Sequence, residues 1–441
     1  MARAVVREFV VNNASQADRT VSKIRNKSQY EVDSEISSRV ARMISEIRKS
    51  GDTGLLKLTK KFDSPSIKNS KNLMVTRMET ERAYSGLSAE QVDALRTASK
   101  QISFISKQQM TRFNSREKTT PLGFGVKETY VPFKRIGGYV PGGLASYPST
   151  VLMIGATANE AGVQEIVIAT PPRKDGSIDE SVLVAADIVG IKEIVKAGGA
   201  QAIAALAFGT RTIKRVDMIV GPGNQYVTEA KRQVSASRQV LIDSLAGPTE
   251  LLIVADKTAD PKLVSEDLIS QAEHGNRTLC GVVSNSSRLV RNVSAILRRM
   301  SDRKRLDQIL QAYLFTVLVK NRDMLIEFAQ RFAPEHLEVM VEKPKAVAER
   351  LTKSGLVLIG DFAPCSATDY IVGTNHILPT GGTARLASGL SVENFLKRVL
   401  AVSASRQSLR KSSKYIATLS SMENLPNHGK ATLVRFRRND S

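Results

Sequence analysis

The chain has 441 residues, of which 42% are apolar and 24% charged, and its formal net charge is +21. This length exceeds what one hydrophobic core usually serves, so we expect two or more domains. The two cysteines are too few for a disulfide framework or a cysteine-rich zinc module, and they favour a reducing compartment, which we take to be the cytoplasm. No stretch approaches the roughly 20 apolar residues of a membrane span.

The elements predicted along the chain alternate between strand and helix from about residue 138 to 246. A helical, lysine-rich region precedes this part, and a helix-rich, basic region follows Leu390 as far as Ser421. Short β-branched runs separated by helical stretches are typical of largely parallel sheets, so the sequence predicts an α/β fold. The predicted strands are 165–170, 217–222, 251–256, 279–284, 315–320 and 355–360, and the clearest helices are 37–50, 89–109, 180–189 and 200–208.

The helix after strand 251–256 carries the first candidate site. Asp260 is its predicted N-cap, and Gly275 lies just past its end. At about 100° per residue, the predicted inward face comprises Leu263, Val264, Leu268, Gln271 and His274. A buried amide and a buried imidazole need partners, which a metal or a polar ligand would supply. A histidine bonded to the backbone of the last turn explains the pattern equally well.

The other three histidines each stand near a carboxylate, in the pairs Glu335–His336, Asp369–His376 and Glu423–His428. The first pair lies at a loop-to-strand junction, where it either faces a cleft or caps the strand. The second lies in a loop, where its carboxylate is either a hard metal ligand or a turn former. The residues of the third pair, Glu423 and His428, lie on either side of a proline in the basic tail. A glutamate and a histidine in such a tail are usually solvated. Histidine beside a carboxylate suits acid–base chemistry near neutral pH.

Several chemistries find no support in the residue patterns. The glycine-containing loops at 140–150 and 219–224 lack the G-x-G-x-x-G pattern, and no P-loop occurs, so these patterns alone predict no nucleotide cofactor. Cys280 lies in an apolar strand, which leaves Cys365 as the one candidate for a reactive thiol. The positive charge is spread along the chain without a zinc finger or an RNA-recognition signature. We therefore expect a solvated basic surface instead of a nucleic-acid site.

Several long strings, taken together and in their order, resemble the histidinol dehydrogenase family from about residue 130 to the C-terminus. They are IGGYVPGGLASYPSTVLM, GGAQAIAALAFGT, GPGNQYVTEAKRQVS, AGPTELLIVAD, SQAEHG, APEHLE, TDYIVGTNHILPTGG and a closing E-x4-H. The resemblance implies a zinc-dependent, NAD-linked enzyme that oxidises L-histidinol through histidinaldehyde to L-histidine, which completes histidine biosynthesis. It also implies a homodimer whose C-terminal arms are exchanged between subunits.

The same resemblance implies a role for most of the residues noted above. One Zn²⁺ per subunit would be held by Gln271, His274, Asp369 and, from the partner subunit, His428. His336 would take the hydroxyl proton in the alcohol step, and Glu335 would activate water for attack on the aldehyde. The implied substrate contacts are Thr249, Gln271, His274, His336, Asp369, Glu423 and His428. The implied NAD contacts are Tyr139, Gln201 and Asn224.

The domain organisation implied by the resemblance has two Rossmann-like domains. Residues 1–30 form an N-terminal helical segment, 31–138 and 249–390 form a discontinuous α/β domain with most of the site, 139–248 form an inserted NAD-binding domain, and 391–441 form a helical arm that reaches the partner. Two residues depart from the family pattern, because Thr368 stands where glycine is usual and Cys365 where glutamate or valine is often found. A β-branched residue disfavours positive φ, which puts the orientation of Asp369 in question.

Two other functions compete with this interpretation. A related enzyme could oxidise another small alcohol, such as a sulfonated diol, whose anionic charge would suit the basic chain better than cationic histidinol does. Glu423 and His428 favour histidinol over that alternative. From a different class, the chain could be a basic nucleic-acid-binding or scaffold protein on the same frame, an idea that only the net charge motivates.

Overall fold

The computed structural model describes residues 5–27, 34–142, 146–275, 277–299 and 306–439. Its strands, in chain order, are β1 (Val6–Val11), β2 (Arg116–Thr119), β3 (Gly125–Pro132), β4 (Arg135–Tyr139), β5 (Glu165–Thr170), β6 (Glu193–Lys196), β7 (Met218–Val220), β8 (Leu241–Ile242), β9 (Glu250–Ala255), β10 (Leu279–Ser284), β11 (Tyr313–Val319), β12 (His336–Met340), β13 (Leu356–Ile359) and β14 (Leu396–Ser403).

The helices are α1 (Ala14–Arg25), α2 (Ser34–Phe62), α3 (Arg77–Ala83), α4 (Ala89–Met110), α5 (Pro148–Glu160), α6 (Glu180–Ile188), α7 (Gly199–Phe208), α8 (Gln225–Ser235), α9 (Pro261–Ala272), α10 (Ser287–Arg298), α11 (Leu306–Gln311), α12 (Arg322–Phe332), α13 (Pro344–Ala348), α14 (Cys365–Tyr370), α15 (Arg406–Met422) and α16 (Pro426–Leu433). Short 3-10 helices lie at Ser70–Leu73, Tyr84–Gly86, Thr111–Phe113, Thr383–Arg385, Val392–Phe395 and Val434–Asn439. In this part of the chain no helix is long and apolar enough for a bilayer crossing.

A six-stranded parallel sheet has the strand order β1-β11-β10-β9-β12-β13. Strands β9 and β10 are buried along their whole length, because helices cover both faces of the sheet. Successive residues of a strand point to opposite faces. Accordingly, Leu252 of β9 packs in a core with α1 and α12, whereas Leu251 and Ile253 pack with α9 and α10 on the other side.

A five-stranded parallel sheet has the order β6-β5-β4-β7-β8. Its cores join α7 and α8 on one face and α5 and α6 on the other. Helices α2 and α4 add an outer layer, since α2 packs on α7 and α8 while α4 packs on α5. Gly51 interrupts α2 with φ +53°, a conformation that favours glycine. The two parallel sheets confirm the predicted α/β fold.

A third sheet is antiparallel, has the order β14-β3-β2 and leads into the C-terminal helices α15 and α16. Strand β14 pairs with β3 over eight positions, from Leu396↔Pro132 to Ser403↔Gly125. This strand lies in the region for which the sequence predicted helix, so that part of the prediction is wrong. Most of β14 is exposed although residues 399–402 are all apolar, and pairing with β3 along one edge stabilises it.

The N-terminal segment also differs from its prediction as helical. Helix α1 is present, but β1 precedes it and pairs with β11 from Val6↔Leu314 to Val11↔Val319. Arg7 and Glu8 interrupt the apolar run because β1 is an edge strand whose central residues are partly solvated. Elsewhere the six predicted strands and four predicted helices are present within a few residues, except that α2 extends well beyond the predicted 37–50.

Candidate active site

A buried polar cluster lies where strands of the six-stranded sheet begin. His336 is the first residue of β12, Glu335 precedes it, and Glu250 opens the neighbouring strand β9. Helix α14 contributes Asp369, and the loop after it contributes His376. These side chains come from separate segments, and only the sheet and helix packing brings them together.

The distances within this cluster are short. His336 Nδ1 lies 3.8 Å from Glu335 Oε2, and its Nε2 lies 3.7 Å from Asp369 Oδ1. His376 Nδ1 lies 3.9 Å from the same Asp369 oxygen. His336 is only 3% exposed and Glu335 only 7%. The carboxylate and imidazole of the predicted acid–base pair therefore face one buried pocket, although neighbours in a regular strand point to opposite sides. Glu335 achieves this because it lies before β12 in the loop.

Helix α9 supplies Gln271 to the same pocket. Asp260 caps the helix through a bond from Lys262 N–H, as predicted. Gln271 is 2% exposed, and its Nε2 donates to Cys365 Sγ at 2.9 Å and to Asp369 Oδ2 at 3.2 Å. This amide is therefore held by the two residues of α14 that face the cluster.

Two residues of the predicted inward face of α9 are not buried. Leu263 is 42% exposed, so its assignment to the inward face is wrong. The helix ends at Ala272, and His274 lies in the following turn, exposed, with its backbone N–H donated to Gln271 O at 3.2 Å. The helical angle no longer applies beyond the last turn. His274 nevertheless lies near enough to His336 and His376 to influence their pKa values.

Thr368 and Cys365, the two residues at which the resemblance predicted a different side chain, have an ordinary helical setting. Both lie in α14, and Thr368 Oγ1 donates to Cys365 O at 2.7 Å. Thr368 does not have positive φ, so a β-branched residue is accommodated without strain. With this residue in place, Asp369 Oδ1 lies 3.7 Å from His336 Nε2 in the cluster.

The donor atoms of the cluster fit a divalent metal. Among the described residues, Gln271 Oε1 and both ring nitrogens of His336 are buried without a hydrogen-bond partner. The group of possible ligands that the structure gathers consists of His336, Cys365 and Asp369, whose ligand atoms lie within 4.8 Å of one another. Nitrogen, oxygen and sulfur donors in such a group suit zinc. Buried polar atoms without partners are costly, and a cation bound here would satisfy Gln271 Oε1.

Burial dominates the protonation of the cluster. It raises the pKa of Glu335 well above the ordinary value, and the carboxylates of Glu250 and Asp369 add to this rise. Burial likewise raises the pKa of Asp369 to about 6. It lowers the pKa of His336 to about 3, with further lowering by His376 and His274. The pocket thus favours the neutral forms of these side chains, including the neutral imidazole of His336.

Sequence reasoning missed a buried ion pair behind Glu335. Glu250 is fully buried, and its Oε1 lies 2.7 Å from Arg25 Nη1 of α1 and accepts Gly381 N–H at 3.1 Å. Arg25 Nη2 also donates to Phe332 O. The sequence contains one indication of this pair, since Glu250 stands at the start of the apolar run in AGPTELLIVAD. A carboxylate at the start of a buried strand requires a partner.

Sequence reasoning also left His376 without a derived role and did not single out Thr150. His376 Nε2 lies 3.1 Å from Thr150 Oγ1 on α5, and its backbone N–H is 3.2 Å from Met153 Sδ. Burial lowers the pKa of His376 to about 4. His376 therefore contacts two parts of the fold. It lies beside Asp369 next to the six-stranded sheet, and it contacts Thr150 of α5, which packs on the five-stranded sheet. No short sequence motif signals a contact between residues 226 positions apart.

A cleft of about 640 Å³ lies at the carboxyl end of the five-stranded sheet. Tyr139, Gln201 and Asn224, the three predicted cofactor contacts, all line it. Tyr139 Oη accepts Gly199 N–H at 3.0 Å, and Gln201 Nε2 donates to Asp63 Oδ2 at 3.0 Å. Asn224 caps α8 by accepting Tyr226 N–H at 3.0 Å. The carboxyl edge of a parallel sheet is the usual place for a nucleotide.

The predicted residues of the C-terminal arm do not join the cluster within one chain. Glu423 and His428 are both exposed, and their backbone N–H groups donate to Leu419 O and Leu425 O of the arm itself. Thr249 is half-buried just before β9, where its carbonyl accepts Leu279 N–H at 2.9 Å.

Comparison with known proteins places this arrangement in a family. A family model described as histidinol dehydrogenase matches residues 26–436. The curated histidinol dehydrogenase of Methanocaldococcus jannaschii is 39% identical over 415 residues, which cover 94% of this chain and 95% of the relative. That of Heliobacterium mobile is 41% identical over 412 residues, which cover 92% and 95%.

A solved structure agrees with these relatives in fold. The crystal structure of histidinol dehydrogenase from Elizabethkingia anophelis matches with a TM-score of 0.92 and 32% identity, and it covers all of both chains. Both the sequence and the fold thus match along nearly the whole length, including the segments that form the cluster and the cleft. The chain belongs to the histidinol dehydrogenase family.

Proposed function

We propose that this protein oxidises L-histidinol through histidinaldehyde to L-histidine, with zinc and two molecules of NAD, at the end of histidine biosynthesis. The observation that carries this proposal is the buried pocket in which Glu335, His336, Gln271 and Asp369 meet, in a chain of the histidinol dehydrogenase family. Stepwise oxidation of an amino alcohol requires an acid–base pair and a set of metal donors, and this pocket contains both.

The proposed zinc ligands of each subunit are Gln271, His274, Asp369 and, from the partner subunit, His428. Gln271 Oε1 supports this set because it is buried and has no hydrogen-bond partner among the described residues, while Nε2 is held in place. When bound, zinc would hold the amino and imidazole nitrogens of the substrate and so fix its position. Thr249 and Glu423 are the other proposed substrate contacts.

His336 is the proposed base of the alcohol step. Its neutral imidazole has two ring nitrogens without a partner among the described residues, so one is available to accept the proton of the substrate hydroxyl. Glu335 is the proposed base of the aldehyde step and would accept a proton from the attacking water. Burial raises the pKa of Glu335 well above the ordinary value, so this carboxylate becomes a stronger base once it has lost its proton.

The cleft lined by Tyr139, Gln201 and Asn224 is the proposed NAD site. Its volume of about 640 Å³ lies within the usual range for cofactor sites. Thr150 of α5 contacts His376, which in turn lies beside Asp369. The unit that would hold NAD is thereby connected to the pocket that would hold the substrate.

A homodimer with exchanged arms is part of the same proposal. On the arm, Leu419, Met422 and Val434 are exposed. Near the predicted site, Phe362 and Leu386 are exposed as well. Exposed apolar side chains that lie close together are typical of a contact with another chain, and this supports the proposal. A partner's arm laid over the pocket would cover both groups and bring its His428 to the zinc.

We also propose the domain division that the resemblance implies, and a cytoplasmic location. All strands of the five-stranded sheet lie between Arg135 and Ile242, close to the proposed insertion 139–248. Helices α2 and α4 pack against that unit, so in this proposal part of 31–138 supports the NAD-binding domain. Both cysteines are free and buried, which fits a reducing compartment.

The test is a turnover assay with the purified protein, zinc, NAD and L-histidinol. We expect two NADH per L-histidinol consumed and L-histidine as the product. A panel of other small alcohols, with a sulfonated diol among them, distinguishes the rival enzyme. Absence of histidinol oxidation together with activity on another alcohol would overturn the proposal. Steeply salt-dependent binding to DNA without any turnover would favour the nucleic-acid alternative.

A further inference from the structure

Cys365 lies among the atoms that are proposed to hold zinc. It is fully buried at the start of α14, and its Sγ lies 2.9 Å from Gln271 Nε2 and 3.9 Å from Asp369 Oδ2. Its Sγ also belongs to the group, with His336 and Asp369, whose ligand atoms lie within 4.8 Å of one another. Resting on the proposed function, we infer that Cys365 is a ligand of the same metal, through its thiolate.

The separations of the donor atoms fit this role. Two atoms bound to one zinc at ~2.0 to 2.3 Å lie roughly 3.3 to 3.6 Å apart at a tetrahedral angle. Cys365 Sγ and Asp369 Oδ2, one from the inferred ligand and one from a proposed ligand, are 3.9 Å apart. This distance exceeds the tetrahedral values by only a few tenths of an ångström. Small side-chain rotations are enough to place the atoms around one ion.

A second observation points to a ligand in the same place. Gln271 and His336 are both more than nine-tenths buried, and Gln271 Oε1 and the two ring nitrogens of His336 have no hydrogen-bond partner among the described residues. The amide of Gln271 donates to Cys365 Sγ through Nε2, so this amide and the sulfur belong to one contact. Buried donors that converge without partners fit a cation better than a dry core.

The backbone of Cys365 is held firmly. Its N–H donates to Glu338 Oε1 at 2.8 Å, and Glu338 is itself buried on β12.

On metal binding the S–H bond of Cys365 breaks, the S–metal bond forms and the proton leaves to solvent. A thiolate favours Zn²⁺ and Co²⁺ over Mn²⁺, which prefers oxygen ligands.

The first experiment uses the full-length protein, freed of metal and loaded with Co²⁺. A thiolate bound to Co²⁺ gives an intense charge-transfer absorption in the near ultraviolet, whereas nitrogen and oxygen ligands alone do not. We expect this absorption in the wild-type protein, its loss in C365S and C365A, and its retention in C280A. Cys280 is the matched control because it is the only other cysteine and is also buried.

The second experiment is zinc X-ray absorption on the same proteins. We expect one sulfur at about 2.3 Å from zinc in the wild type and in C280A, and none in C365A. Wild-type protein that binds one metal per chain without sulfur in its shell would overturn the inference, and so would protein that binds no metal. Histidinol turnover is measured in parallel, since sulfur ligation without turnover would overturn the proposed function and leave the ligand in place.

Discussion

The backbone N–H of Glu250 donates to Oε2 of Glu335 at 2.9 Å, and this bond orients the carboxylate that we propose as the water-activating base. The side chain of Glu250 points the other way and is paired with Arg25. Two buried carboxylates thus lie close together, and one is neutralised by a cation.

Substitution of Glu335 by glutamine should impair the aldehyde step. The amide oxygen of glutamine is still able to accept Glu250 N–H, so the geometry is kept while the base is lost. We expect kcat for L-histidine formation to fall by about 10² to 10⁴. Rapid-mixing measurements should still show the first NADH. Exposed Glu342 provides the control, and E342Q should retain wild-type activity.

Substitution of His336 by asparagine should impair the alcohol step more than the aldehyde step. The neutral ring is the proposed acceptor of the hydroxyl proton, and asparagine cannot accept it. With L-histidinol we expect a loss of about 10² to 10⁴ in kcat. Histidinaldehyde, supplied directly to H336N, serves as the control substrate and should show a smaller loss. Equal losses with both substrates would contradict the assigned role.

A mixture of two inactive variants should regain activity if the arms are exchanged. H428A lacks the proposed zinc ligand on the C-terminal arm. H336N lacks the proposed base, which lies in the rest of the chain, here called the body. A mixed dimer contains one site that combines the intact body of the first chain with the intact arm of the second. We therefore expect much higher activity after the two variants are unfolded and refolded together than either variant shows alone. If mixing restored no activity although mixed dimers formed, His428 would belong to its own chain's site.

Substitution of Arg25 by methionine should destabilise the fold. The carboxylate of Glu250 would remain buried without its partner, which costs roughly 3 to 5 kcal/mol in the free energy of unfolding. Exposed Arg19, on the same helix, is the matched control, and R19M should stay within about 0.5 kcal/mol of wild type. Denaturant unfolding measures both. R25M with the stability of R19M would show that the pair contributes nothing.

Glu229 should contribute stability that depends on pH. Its hydrogen bonds to Arg232, the largest effect, and to Gln233 and Ser37 lower its pKa from 4.5 to about 2. A lowered pKa in the folded state means that the contribution is present above the unfolded pKa and is lost as pH falls toward the folded value. The difference in Tm between wild type and E229Q should therefore be largest near pH 7 and shrink between pH 4.5 and about 2. A difference that stays constant would exclude the carboxylate as its source.

The local elements were predicted well where one sequence pattern dominates. Strands β5 and β10 match their predicted ranges residue for residue, since a short β-branched run with polar ends has few alternatives. Strand β1 was missed because Arg7 and Glu8 interrupt its apolar run, and β14 was missed because it lies in a basic region that is otherwise helix-rich. Each is stabilised by pairing with a strand that is more than 200 residues away in the chain, so no local pattern reveals it.

The sequence by itself determined the fold class, the family resemblance and the set of chemically capable residues, because these depend on local order along the chain. Only the tertiary structure decided which of those residues meet. It brought Gln271, Cys365 and Asp369 into contact and joined His376 to Thr150, while it left His428 on the exposed arm. The physical reason is that such contacts arise when sheets and helices from distant segments pack together, and a burial pattern specifies which face is covered but not which distant residue covers it.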